Sequence, residues 1–299
     1  MSGIRLALVA ATISGISIFV NAQAVAAFPN ATLFTTLKNV IVGAALVAVV
    51  LVLRRADVRR LARRQWLGLA MLGVVGGSVP FVLFFEGLAR SVNAPDASFI
   101  HKTLFVWVAL GALAFLPRER IGAGQVAALG VLLAAQLVLG APRAVSVGPG
   151  ELMVLAATLL WAAEVVIARR LLSSTSSAVA SAGRMGGGAL VMLAYAGTTG
   201  QLTLALSPVQ WSWLAVTAVL LFAFVSTWYA ALERAPATAV TCVLTLGAPI
   251  TAVLSLAAGR APSLQQLAGY ALVCVAVLAF LSLPRASSLL RRTRTAAGA

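Results

Sequence analysis

Charge is what this sequence has least of: 10% of its 299 residues are Asp, Glu, Lys or Arg against 61% hydrophobic, and the mean hydropathy is +1.02. A soluble domain of this length could not cover so much apolar surface with so few charges. Side chains for metal binding and nucleophilic chemistry are scarce as well. There is one histidine, His101, and the two cysteines, Cys242 and Cys274, fall inside apolar runs, where they read as small packing residues rather than a disulfide or metal pair. The sequence shows no zinc-ligand spacing, no phosphate-binding glycine loop and no nucleophile–base pair, so neither a metal, a cofactor nor an enzyme activity is expected. Gly186-Gly187-Gly188 lacks the flanking lysine of a phosphate loop and is expected to let helices approach closely.

What is present is a series of apolar runs about 20 residues long, matching a hydrocarbon core of roughly 30 Å at 1.5 Å per residue. They predict an all-α membrane protein with ten spans at about 4–22, 31–53, 66–89, 95–116, 121–140, 150–170, 178–198, 211–230, 236–258 and 264–283. The linkers leave no room for a sizeable domain outside the membrane. The formal charge of +15 is confined to alternate linkers, which fits membrane topology rather than a nucleic-acid partner. Arg54, Arg55, Arg59, Arg60, Arg63 and Arg64 follow span two, Arg118 and Arg120 span four, Arg169 and Arg170 span six, and Arg234 span eight. Arg5 opens the chain and Arg285, Arg291, Arg292 and Arg294 lie in its tail, while linkers of the other parity hold only Arg90, Arg143 and Arg260. The bias places both termini in the cytoplasm of a cell with a multi-pass inner-membrane protein. Span one has a rival reading as a cleavable signal peptide ending near Asn21-Ala22-Gln23-Ala24 or Ala24-Val25-Ala26, which would leave nine spans.

The halves align with one another. Ala10-Ala11-Thr12 recurs as Ala156-Ala157-Thr158, 146 residues on, and Lys38 falls on Arg184 at the same offset. From Phe85 onward the offset is 144, pairing Phe85 with Tyr229, Leu88 with Leu232 and Arg90 with Arg234. Five is an odd number, so the second half enters the membrane from the other side, giving two inverted five-helix repeats, an architecture common in alternating-access transporters. The expected division is a first repeat at 1–144, a second at 145–285 and a basic tail at 286–299, all within one membrane domain over 1–299. Tyr229-Ala230-Ala231-Leu232-Glu233-Arg234-Ala235-Pro236-Ala237-Thr238-Ala239 and Pro249-Ile250-Thr251-Ala252-Val253-Leu254 resemble the second repeat of EamA-type transporters of the drug/metabolite transporter superfamily. Leu88 to Ala114 looks like the matching first-repeat segment, and Ala156 to Arg170, around Trp161, fits the start of the second repeat. Phe105 departs from the pattern, standing where the second repeat has Pro249, so the two fourth helices are expected to bend differently. The resemblance implies ten helices around a central cavity and export of amino acids or other small metabolites, so the expected partners are a small-molecule substrate and the lipid bilayer, with protons a further candidate. It leaves open whether the chain works as a monomer or an oligomer. A competing expectation within transport is a proton-coupled exporter of cationic drugs.

Charges inside spans cost roughly 2.5–3.5 kcal/mol each on insertion scales and normally face a cavity or a partner. Glu164 lies about 14 residues into span six, roughly 21 Å along the helix at 1.5 Å per residue. It reads either as a proton or substrate-ammonium site, as its resemblance to the first helix of small multidrug resistance proteins implies, or as an ion pair with Arg169 or another arginine. Lys38, Glu86 and Lys102, with His101, read either as a charge cluster joining spans two, three and four or as receivers of a substrate carboxylate. Ala97, His101 and Phe105 share a helix face, with Thr241, Thr245 and Pro249 as repeat equivalents and Thr238 near them, either a polar path or a packing surface. Lys102 is turned about 100° from His101, which argues against one shared small site. Trp66, Trp211, Trp213 and Trp228 fit an interfacial belt, whereas Trp107 and Trp161, with Phe81, Phe84 and Phe85 after Pro80, are candidates for a cavity wall.

Overall fold

The computed structural model describes residues 2–90, 94–117, 119–140 and 148–283. Arg118, Arg143, the segment 91–93 and the basic tail from 284 on lie outside them. The described chain is all-α and folds as ten spans, made of Gly3–Ala24, Ala31–Leu53, Arg63–Gly77 with Val79–Ala89, Ala94–Lys102 with Leu104–Phe115, Ala123–Gly140, Pro149–Leu171, Ser177–Thr198, Pro208–Arg234, Ala237–Leu244 with Gly247–Ala257, and Leu264–Ser282. Their starts follow local chemistry. Asn30, Ser207 and Ser263 cap spans two, eight and ten by accepting the N–H three residues on, and Pro149 and Pro208 occupy first-turn positions that need no N–H donor.

Nine of these stretches are long and apolar enough to cross a membrane. Span seven, Ser177–Thr198, has 22 residues and the length, but Arg184 and three consecutive glycines dilute its hydropathy. Its position explains the tolerance: span seven packs against spans two, three and eight. A Cβ on Gly188 would lie 2.6 Å from the Gly77 Cα, so the glycines are what let spans three and seven touch backbone to backbone. Outward, Val52, Leu190 and Val219 are 69–78% exposed, a surface suited to lipid and unsuited to water.

Helix pairing carries the two-repeat, inverted architecture. Span one packs on spans eight and nine as span six packs on three and four, and span two packs on eight as seven packs on three. Spans two and seven, four and nine, and five and ten pair with their own counterparts.

Three spans break midway. In span three, Ser78 leaves helical geometry just before Pro80, and its hydroxyl bonds the Gly73 carbonyl at 3.0 Å. Span four breaks at Thr103 and span nine at Thr245 and Leu246, and in each the threonine hydroxyl bonds the carbonyl three residues back, Ile100 and Cys242, at 2.6 Å. The expectation that Phe105 in place of Pro249 would make the fourth helices bend differently is therefore corrected. The threonine turn makes the break in both repeats, and proline is an addition in one.

Candidate substrate cavity

The two threonine breaks face one space. A cavity of about 530 Å³ is lined on one side by Ala97, Ser98, His101, Lys102, Leu104 and Phe105 of span four and on the other by Thr241, Leu244, Thr245, Gly247, Ala248 and Thr251 of span nine. Ser14 and Ile18 of span one, Phe84 and Leu88 of span three, Gln136 of span five and Tyr270 of span ten complete it. Discontinuous helices at a repeat interface are where transporters place their sites, because the breaks free backbone groups for a ligand.

The structure thus brings His101, Phe105, Thr241 and Thr245 to one cavity. It also puts Lys102 beside His101, contrary to the helical-wheel argument that separated them: the helix ends at Lys102, so the regular 100° step does not carry across the break. Phe84, rather than Phe81 or Phe85, reaches the cavity, while Phe81 packs edge-on to Trp161 at 5.2 Å and Phe85 edge-on to Phe84 at 6.0 Å. Trp161 stands behind His101, ring centroids 4.8 Å apart, and is anchored by its indole N–H to the Gly76 carbonyl at 3.2 Å. Trp107 lies off the cavity and donates to the Thr103 hydroxyl at 3.0 Å, holding the break. Trp228 is corrected from the interfacial belt to the core: span eight runs on to Arg234, so Trp228 is 6% exposed and stacks on Phe224.

The charged residues separate. Lys38 donates to Asn21 at 3.2 Å and lies 4.5 Å from the Phe34 ring, and Glu86 accepts from the Tyr195 hydroxyl at 2.8 Å. The expected charge cluster of Lys38, Glu86 and Lys102 is therefore corrected: among the described residues no ion pair joins them, because span two presents Lys38 to span one and Glu86 faces span seven. Glu164 is off the cavity as well. Its Oε1 accepts from the Tyr229 hydroxyl at 2.5 Å and lies 3.3 Å from Arg184 Nε, with Gly76 packed against its stem. The partner is Arg184 of the neighbouring span, not Arg169, which sits 3.4 Å from Glu119 instead. The repeat explains this choice: Lys38 and Arg184 occupy matching places on second helices, and each reaches a polar residue of the first helix in its own half.

Below the cavity, at the end carrying the arginine-rich linkers, the bundle is closed. Ala237 to Val243 of span nine are all buried, whereas beyond the break only Gly247 is. Glu119, in the linker after span four, accepts from the Ala237 N–H at 2.7 Å and the Thr238 N–H at 3.3 Å, stabilised by the positive end of that half-helix, and pairs with Arg169. Ser177 donates to Glu233, Ser176 to Asp57, and Gln65 to the Ser174 carbonyl at 2.6 Å, tying together the other linkers of the same end. Sequence reasoning missed Glu119, Gln136 and Tyr270. Glu119 could have been found as an acidic residue amid Arg118 and Arg120, but nothing local distinguishes Gln136 from Gln125.

The model of the EamA-like transporter family matches residues 1–141 and 148–282. A solved structure, described only as a crystal structure of a protein, aligns over 97% of this chain and 98% of its own with a TM-score of 0.73 and 23% identity, a likeness that concerns the fold. No curated protein matches. Matched in both halves, with ten spans paired between repeats around one cavity, the chain belongs to the EamA-like transporter family, multi-pass membrane proteins that carry small molecules.

Proposed function

We propose that the protein is a secondary transporter that exports small metabolites, with amino acids, aromatic ones included, as its cargo, across the inner membrane by alternating access. The cavity's chemistry carries this reading. At about 530 Å³ it falls in the range of roughly 300–1,000 Å³ usual for small-molecule sites. The Lys102 amine faces it with no carboxylate within 4.0 Å among the described residues, and no acidic side chain lines it. Such a site suits a carboxylate, with Phe84, Leu88 and Phe105 as an apolar wall for a side chain. With both termini cytoplasmic, the closed end is the cytoplasmic one and the cavity faces the periplasm, one of the two states alternating access requires. In this reading the repeats divide at residues 144 and 145, and both contribute to the cavity. The rival role, export of cationic drugs pivoting on Glu164, is weakened because that carboxylate is engaged by Arg184 and Tyr229.

The test is uptake by protein in liposomes of labelled amino acids and of a lipophilic cation, with and without a pH gradient. Amino-acid uptake is expected, and its dependence on the gradient reports whether protons couple. Uptake of the cation alone would overturn the proposal in favour of the rival.

A further inference from the structure

Resting on the amino-acid reading above, we infer that the cavity recognises a zwitterion in two halves, Lys102 taking the carboxylate and the Gln136 carboxamide oxygen taking the ammonium. Gln136 is 2% exposed, lines the cavity from span five, and its Oε1 is buried with no hydrogen-bond partner. The same span shows how a structural glutamine is treated. Gln125, 3% exposed, accepts the Gly122 N–H at 3.2 Å and donates to the Phe280 carbonyl at 3.2 Å. Buried polar atoms without partners are rare in native proteins and call for a reason. Thr36 and Asn39 also carry one each, but on span two away from the cavity, whereas those of Gln136 and His101 belong to residues that line it.

An unpaired carbonyl oxygen needs a donor, and an unpaired ammonium needs an anion. The first half of span four packs on span five, so the segment bearing Lys102 adjoins the helix bearing Gln136, and both open on the same space. A carboxylic acid without nitrogen satisfies Lys102 alone, and an amine without a carboxylate satisfies Gln136 alone and meets the lysine charge. An α-amino acid satisfies both, while His101, backed by Trp161 and Phe84, offers its unpaired Nδ1 as a second contact near the ammonium.

The experiment uses the full chain in liposomes, with uptake of labelled phenylalanine competed by 3-phenylpropionate, which lacks the nitrogen, and by phenethylamine, which lacks the carboxylate. In the parent, each half-molecule is expected to compete at least about tenfold less well than unlabelled phenylalanine, the effect of losing one charge-assisted hydrogen bond. Lys102→Gln should close the gap between phenylalanine and phenethylamine and keep the gap to 3-phenylpropionate. Gln136→Leu should do the reverse. Lys102→Arg should retain the parental order, and Gln136→Glu should raise the standing of phenethylamine, so a poorly folded variant does not decide the matter alone. Failure of the parent to take up phenylalanine would overturn the cargo reading itself. Uptake in which both variants weaken all three compounds alike would overturn only the assignment of the two halves.

Discussion

Removing one partner of the Glu164–Arg184 pair should destabilise the protein almost as much as removing both. The charges lie 3.3 Å apart with side chains 4% and 12% exposed, so solvent screening takes little from their interaction. Breaking a buried pair by removing one partner costs roughly 3–5 kcal/mol in soluble proteins, and an uncompensated arginine at mid-span roughly 2.5–3.5 kcal/mol on insertion scales. Glu164→Gln leaves Arg184 charged and facing a carboxamide, for an expected loss of about 3 kcal/mol. Arg184→Gln leaves the carboxylate with the Tyr229 hydroxyl as its remaining close partner, for a similar loss of about 3 kcal/mol. The double variant sets two amides across the same gap and should lose only about 3–4 kcal/mol, giving a coupling of about 2 kcal/mol or more. The assay is detergent-titrated unfolding of all four proteins, followed by tryptophan fluorescence. A coupling within about 0.5 kcal/mol of zero would refute the reasoning, because independent sites add. Transport should follow the same order, with Glu164→Gln impaired more than Glu86→Gln. Glu86 lies near the end of span three and accepts from Tyr195, so its replacement strands no cation.

Three further outcomes are expected. Single cysteines at 60 and 234, in a background lacking Cys242 and Cys274, should resist an impermeant maleimide in intact cells, while those at 93 and 260 react. Labelling of position 60 from outside would invert the topology. Thr245→Trp should abolish flux with near-parental melting because it fills the cavity, whereas His101→Trp should also lower the melting temperature, since Trp161 already lies 4.8 Å from that ring; equal melting losses in both would return Thr245 to helix packing. Glu119→Gln should loosen the closed end and raise the reactivity of a cysteine at 241 toward reagent on the cytoplasmic side by about tenfold, the equivalent of one charge-assisted hydrogen bond, and an unchanged rate would show that the contact is not a latch.

The sequence by itself determined the spans and the repeat, because lipid leaves the backbone little choice. Apolar runs of a bilayer's length must be helices, and lack of water obliges each helix to satisfy its own backbone. Even span seven, whose Arg184 and glycines make it the least apolar, was legible, since an odd number of helices per repeat requires it. Site chemistry was legible where residue type was rare. A lone histidine and the few charges within spans marked His101, Lys102 and Glu164 for attention, and two of those three line the cavity. Only the tertiary structure decided partnership. Which arginine meets Glu164, which phenylalanine reaches the cavity, and whether Lys102 and His101 share it depend on helix breaks and crossings between segments distant in sequence. Periodicity assumes an unbroken helix, and the hydroxyls of Thr103 and Thr245 end that assumption at the two places where the cavity forms.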